Sequence, residues 1–286
     1  MSVPKLYKYR IFLVLVAILS YFSVLVIFNY FQNGSPNLMP TTSTETVLSK
    51  VPPLRQPDVT CLSPIGDSLP DSGVVARMSM QSFPIIDEKS QEYWKRVVLL
   101  ELSKYGPTDW SNQIETIYIV DRLFIGNVPV GGTFFRKSIF IAVNDHGGPL
   151  DDYFVCSTLH HEIAGVLYAM NDKTDLDKQF KSLSGPYIGR DPLEVIRESS
   201  HRLGMIDPRL FTKGFLTEYG SIDPVKDMCT IHERLMMSPE RLRIVAEENP
   251  DICQKLVLWL NFVKSRSVHL GPRFDITKLS CASSDP

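Results

Sequence analysis

Residues 11–28, IFLVLVAILSYFSVLVIF, carry no charge and only three polar or amphipathic side chains, Ser20, Tyr21 and Ser23; Lys5, Lys8 and Arg10 stand just before them. Extended through Asn29, Tyr30 and Phe31, a helix rising about 1.5 Å per residue comes close to the roughly 30 Å of bilayer hydrocarbon. A cleaved signal peptide has a shorter apolar core, roughly 7–15 residues, and ends on a small-residue cleavage site. This run is longer and continues into YFQNGSPN, so it reads as a retained anchor. The basic flank keeps residues 1–10 cytoplasmic and sends the chain after residue 32 across the membrane. No second run of this kind follows. The expected topology is a single-pass membrane protein, anchored through residues 11–31, with its C-terminal part on the non-cytoplasmic side.

Beyond the anchor, charge excludes one class of partner. The whole chain has a formal charge of −2, from 30 Lys and Arg against 32 Asp and Glu. Setting aside Lys5, Lys8 and Arg10 makes the exported part more acidic still, and no basic cluster remains to track a phosphate backbone, so nucleic acid is not an expected partner. Five cysteines, Cys61, Cys156, Cys229, Cys253 and Cys281, are too few for a disulfide scaffold. An oxidising compartment permits one or two bridges among them and leaves at least one thiol over.

Residues 32–90 read as a Pro/Ser/Thr-rich tether with no sustained helical or strand period. Residues 91–270 are enough for one well-buried domain, and 271–286 form a C-terminal tail. Within the domain, EYWKRVVLLELSKYGP spaces Trp94, Val97, Val98, Leu102 and Tyr105 as a helix that stops at Gly106-Pro107. Residues 114–124 and 137–145 are β-branched and aromatic runs that predict neighbouring strands. HGGPLDD then starts a long helix from Tyr153 to about Met170. Residues 171–190 read as loop, 191–204 as a short helix, and 223–237 and 239–265 as two further helices. The expected class is α+β, a small sheet followed by a helical second half.

The long helix carries the chemistry. At 100° per residue, Val155, Cys156, Leu159, Ile163, Val166, Leu167 and Met170 share one apolar stripe, the expected core face. His161 falls on the far side, beside Ser157, Ala164, Gly165 and Tyr168. In a His-Glu-x-x-His helix two histidines one turn apart bind zinc, and the glutamate activates the bound water. Here the string is His161-Glu162-Ile163-Ala164-Gly165; the second histidine is missing. Cys156 and His160 also stand four apart, but they border the apolar stripe, where core packing is the better explanation. His232 and Glu233 repeat a His-Glu pair with Met236 beyond it and read as structural. His146, His201 and His269 sit in turn-like or terminal contexts.

On these residues the chain resembles the zincin-like metallopeptidases. The element order, the Thr158-Leu159-His160-His161-Glu162 start of the helix, the helical second half, and Gly214-Phe215-Leu216-Thr217-Glu218-Tyr219-Gly220-Ser221 carry the resemblance. It implies a zincin-like domain with zinc as cofactor and a peptide or protein substrate. His161 would ligate the metal, with Asp227 and His160 or Glu233 as further ligands; the family's third ligand falls in Val225-Lys226-Asp227. Glu162 would be the catalytic base, and Tyr219 would stabilise the oxyanion. On this reading a histidine restored at position 165 raises zinc affinity. Two other readings stay open: a catalytically inactive zincin-like binding module, and a membrane-tethered assembly protein without substrate.

The topology is testable directly. A reporter fused after residue 286 is expected to be active only outside the cytoplasm, and the protein to resist carbonate extraction; a soluble cytoplasmic full-length product contradicts the anchor.

Overall fold

A computed structural model describes residues 57–61, 80–85, 87–105, 113–145, 148–171, 174–198, 204–265 and 281. The expected cytoplasmic segment, the anchor at 11–31 and all of the tail except Cys281 lie outside these residues. Among the described residues no helix is long and apolar enough to cross a membrane.

The domain begins with strands β1 (Asp58–Cys61) and β2 (Met80–Phe83), helix α1 (Glu88–Leu102), and a 3-10 turn, Ser103–Tyr105. Strands β3 (Thr116–Val120), β4 (Arg122–Ile125), β5 (Val128–Pro129), β6 (Gly132–Phe135), β7 (Ser138–Ala142), β8 (Asn144–Asp145) and β9 (Gly148–Pro149) follow. The remainder is helical: α2 (Asp152–Ala169), α3 (Thr174–Ser182), α4 (Pro192–Glu198), α5 (Pro224–Met237), α6 (Pro239–Glu248) and α7 (Pro250–Lys264), with a 3-10 segment at Pro208–Lys213. The α+β expectation stands.

The main sheet runs β1-β3-β7-β6. Strands β1, β3 and β7 are parallel, with Ile117 opposite Ile139 and Ile119 opposite Ile141, and β6 closes one edge antiparallel to β7. Those four isoleucines are fully buried. The near-continuous apolar reading of β3 and β7 is what strands covered on both faces require.

Several boundaries differ from the sequence reading. Two strands, β1 and β2, lie inside the stretch expected as a tether; each has four residues, too short for periodicity to register, and each gains its hydrogen bonds from a partner remote in sequence. NVPVGGT, expected as a separator, supplies β5 and the start of β6. Residues 174–182, expected as loop, form α3, whose anchors are Leu176 and Phe180 at i and i+4 among polar residues. The helix expected over 239–265 breaks at Asn249-Pro250, because proline cannot donate to the preceding turn and its ring excludes that carbonyl.

Helix α2 starts at Asp151, whose carboxylate accepts from the Phe154 amide at 2.7 Å. Its stripe packs as expected, with Val155, Leu159, Ile163 and Val166 at 0% exposure; Met170, expected on that face, is 44% exposed because it caps the helix beyond the core. The opposite face of α2 is buried as well, against α5. The helix is therefore the centre of the domain, with the sheet on one side and the helical half on the other. Cys253 of α7 is bonded to Cys281, while Cys61, Cys156 and Cys229 are free.

Replacing Ile163 with Asp is expected to unfold the domain, because an unpaired buried carboxylate adds several kcal/mol of desolvation to the lost packing. Urea denaturation followed by circular dichroism measures it; a variant with near-native stability would show that this face of α2 does not pack as described.

Candidate active site

Helix α5 sets the site opposite α2. Asp223 caps it, accepting from the Lys226 amide at 2.9 Å, and Pro224 takes the first helical position, where no amide hydrogen is needed. Lys226, Cys229 and Glu233 then fall along one side of α5, spaced by three and four residues. From α2 come Ser157, His161 and Glu162; Tyr219 enters from the turn before α5.

Glu233 joins the two helices. Its Oε1 accepts from the Ser157 hydroxyl at 2.5 Å, its Oε2 lies 3.3 Å from His161 Nδ1, and Arg234 Nη2 is 3.1 Å from Oε1. Burial works against its charge, but the contacts from His161, Arg234 and Ser157 prevail and hold it below the usual glutamate range. An ionised Glu233 fixes the tautomer of His161: Nδ1 carries the proton toward the carboxylate and Nε2 is left with a bare lone pair. Nε2 is buried and has no hydrogen-bond partner among the described residues. The imidazole lies 5.4 Å from the Tyr219 ring, and the Lys226 ammonium sits 5.5 Å over that same ring.

Glu162 is buried, its carboxyl raised by desolvation against the pull of His161 and Lys226. Strand β6 presses on its stem: a Cβ on Gly132 would come within 3.0 Å of Glu162 Cγ and 2.6 Å of Thr158 Cγ2. Tyr219 is raised by burial, with Lys226 opposing. Burial likewise opposes the Lys226 charge, yet Tyr219, Cys229, Glu162 and Asp223 together hold it above the ordinary lysine value. The Cys229 thiol is pushed up by burial.

The other two expected ligands are committed elsewhere. His160 belongs to a chain of hydrogen bonds through the core. Trp259 Nε1 donates to His232 Nδ1 at 3.1 Å, so His232 Nε2 carries the proton and donates to Tyr105 Oη at 3.1 Å. Tyr105 in turn donates to His160 Nδ1 at 2.5 Å, and His160 Nε2 donates to Glu101 Oε2 at 2.8 Å. One direction satisfies every member with both imidazoles neutral, and burial lowers both histidines as that requires. Neither nitrogen of His160 is left for a metal. Asp227 forms a buried pair with Lys255 at 2.6 Å, and its Oδ2 also accepts from Tyr187 at 2.8 Å. Burial raises this carboxyl to about 6, against the opposing pull of Lys255. Lys255 also donates to Gly214 O at 2.7 Å. Gly214 has φ 75°, and a Cβ there would lie 2.5 Å from Leu183 O, so only glycine presents that carbonyl.

Position 165 decides whether zinc fits. A Cβ on Gly165 would lie 2.3 Å from Phe134 Cε1: the Phe134 ring occupies the space that a second ligand on α2 requires. With His160 and Asp227 diverted, His161 has no companion imidazole. Among the described residues no three His, Cys, Asp or Glu side chains converge as a metal-holding group. The donors present do not form the three-residue zinc group expected, and a histidine at 165 would require the Phe134 ring to shift.

The residues brought together are thus His161, Glu162 and Tyr219, all anticipated, with Glu233, considered only as a further ligand. Ser157, Lys226 and Cys229 complete the cleft. Lys226 was legible as the residue beside Asp227, but nothing in a linear pattern says which of two adjacent side chains faces α2.

No family model matches the sequence, and no curated protein matches it. Among solved structures, a candidate zinc-binding metallo-peptidase from Bacteroides caccae ATCC 43185 is similar over 78% of this chain and 90% of that chain, at 16% identity and a TM-score of 0.43. A likeness at that level assigns neither family nor activity.

Changing Lys255 to Met is expected to cost about 3–5 kcal/mol, since it strands the Asp227 carboxylate in the core. Combining it with Asp227→Asn is expected to recover part of the loss. Chemical denaturation of the three variants decides it; equal stability of wild type and Lys255→Met contradicts the structural role of the pair.

Proposed function

We propose that this chain is a membrane-anchored, exported protein whose zincin-like domain binds a ligand in the α2–α5 cleft and does not hydrolyse it. The observation that carries the reading is the Phe134 ring filling the space above Gly165, which removes the rigid histidine pair on which a catalytic zinc site is built. The zincin-like part rests on Thr158–Glu162, on Gly214–Ser221, and on a His-Glu helix packed beneath an antiparallel edge strand. Export is supported by the uncharged run at 11–28 and by the Cys253–Cys281 bridge, which belongs to an oxidising compartment.

The cleft retains the parts of a binding site. A buried imidazole is oriented by Glu233, a lysine is held charged, and the Tyr219 ring lies against both of them. Among the described residues no three metal-binding side chains converge there, which supports binding over hydrolysis. One observation favours a second reading: the unpaired Nε2 of His161 is the atom a metal would take in a peptidase that uses Glu162 as base.

Zinc titration of the purified full-length protein separates the two. The expected result is no stoichiometric zinc by calorimetry or elemental analysis, and no gain in Gly165→His, which is instead less stable than wild type. Stoichiometric zinc in the wild type, lost in His161→Ala, overturns the proposal in favour of the metallopeptidase.

A further inference from the structure

We infer that Lys255 and Asp227 are joined by an amide bond, an isopeptide cross-link between α7 and α5 that the fold forms from its own side chains with loss of one water molecule. The inference is independent of how the region between α2 and α5 is read, and it adds a covalent modification site to the domain.

Contact and dryness carry it. Lys255 Nζ lies 2.6 Å from Asp227 Oδ2. One C–O bond of about 1.2 Å separates that oxygen from Cγ, so the nitrogen is within about 3.8 Å of the carbon it would attack, close to the roughly 3–3.5 Å of a near-attack arrangement. Both side chains are withdrawn from solvent, at 0% and 1% exposure. The Phe215 ring centroid lies 4.6 Å from Nζ, and those of Phe180 and Tyr187 lie 5.8 Å away. In water, hydration keeps an ammonium and a carboxylate as separate ions. Here burial works against both charges, raising the Asp227 carboxyl and lowering the Lys255 ammonium. The neutral acid and amine that burial favours are the two halves of an amide, and the same packing keeps out the water that would hydrolyse it.

The hydrogen-bond partners fit both the step and its product. One ammonium proton passes to Oδ2, leaving an amine whose lone pair attacks Cγ. The Nζ–Cγ bond forms, a second proton moves from nitrogen to Oδ2, and the Cγ–Oδ2 bond breaks. That oxygen leaves as water, and no oxidant or further reactant is consumed. Tyr187, whose hydroxyl donates to Oδ2 at 2.8 Å, polarises the carboxyl and assists the departure. Oδ1, buried without a hydrogen-bond partner among the described residues, becomes the amide carbonyl oxygen and is relieved of the carboxylate charge, the costlier group to leave unpaired. The single proton left on nitrogen keeps the bond to Gly214 O, 2.7 Å from Nζ.

Tryptic peptide mapping by mass spectrometry tests the bond on the full-length protein, unfolded after purification and with its disulfide reduced. Lys255 is expected to resist trypsin, because its ammonium is gone. Segment 227–234 is expected to be recovered joined to segment 244–264, at the sum of their masses less one water, with fragment ions placing the junction at Asp227 and Lys255. In Lys255→Arg and in Asp227→Ala the water loss is expected to vanish and the two segments to separate. Recovery from the wild type of free 227–234, together with cleavage after Lys255, as the main species overturns the inference. So does a water loss that persists in Lys255→Arg. The decisive reading comes from the wild-type chain, so poor folding of a variant does not blunt it.

Discussion

Glu233 is the constraint on which the arrangement of the domain depends. Helix α2 is buried around nearly its whole circumference, and the side facing α5 brings Ser157, His161 and Glu162 into the interior. Polar groups there must be matched or they cost more than packing returns. One carboxylate matches two of them, and Arg234 balances its charge while tying α5 to Tyr153 and to the Gly204 carbonyl. The register of α5 against α2 is fixed by these contacts, since sliding either helix by one residue would turn Glu233 away from both Ser157 and His161. Lys226 and Cys229 follow Glu233 into the cleft because they share its side of the helix.

Two further buried networks explain why the described histidines and acids do not gather around one point. The run Trp259, His232, Tyr105, His160, Glu101 links α7, α5, the turn after α1, α2 and α1 in a single hydrogen-bond direction. A metal on His160 would have to break it at Tyr105 or at Glu101. Asp227 and Lys255 join α5 to α7 in the same manner, with Tyr187 and the Gly214 carbonyl as the remaining partners. Both networks use residue types that bind metals elsewhere; the first satisfies its histidines internally, while in the second Asp227 Oδ2 takes both side-chain bonds and Oδ1 is left without a partner. Of the buried histidine nitrogens described, His161 Nε2 alone is left without a partner.

Much of the fold was legible in the sequence because long elements carry long periods. The stripe on α2, the helix through Trp94, Val98 and Leu102, the two apolar strands and the proline-capped α5 all follow from spacing and caps, while the expected stop at Gly106-Pro107 lies outside the described residues. What was not legible depends on contacts remote in sequence. The strands β1 and β2 are held by partners, not by propensity. Position 165 shows the limit most sharply. Its glycine marks a missing histidine in the string His161-Glu162-Ile163-Ala164-Gly165, but that Phe134 has moved into the gap is a fact about β6, thirty-one residues earlier. The same holds for Asp227, which has a ligand's chemistry and is claimed by a lysine twenty-eight residues on.

Phe134 also bears on how the polar groups between α2 and α5 are packed. A metal site holds its acids and imidazoles together by charge, and without the ion the same groups repel or go unpaired. Here each consequence has a local answer. The space beside Gly165 is taken by an aromatic ring from β6. Glu233 draws its neutralising charge from Arg234. Glu162, on α2 beneath Gly132 of the edge strand, has Lys226 of α5 as a nearby cation, and burial shifts it toward its uncharged form. The positive charge of this region is carried by Lys226 of α5, which lies over the Tyr219 ring and is held above the ordinary lysine value by the acidic groups around it.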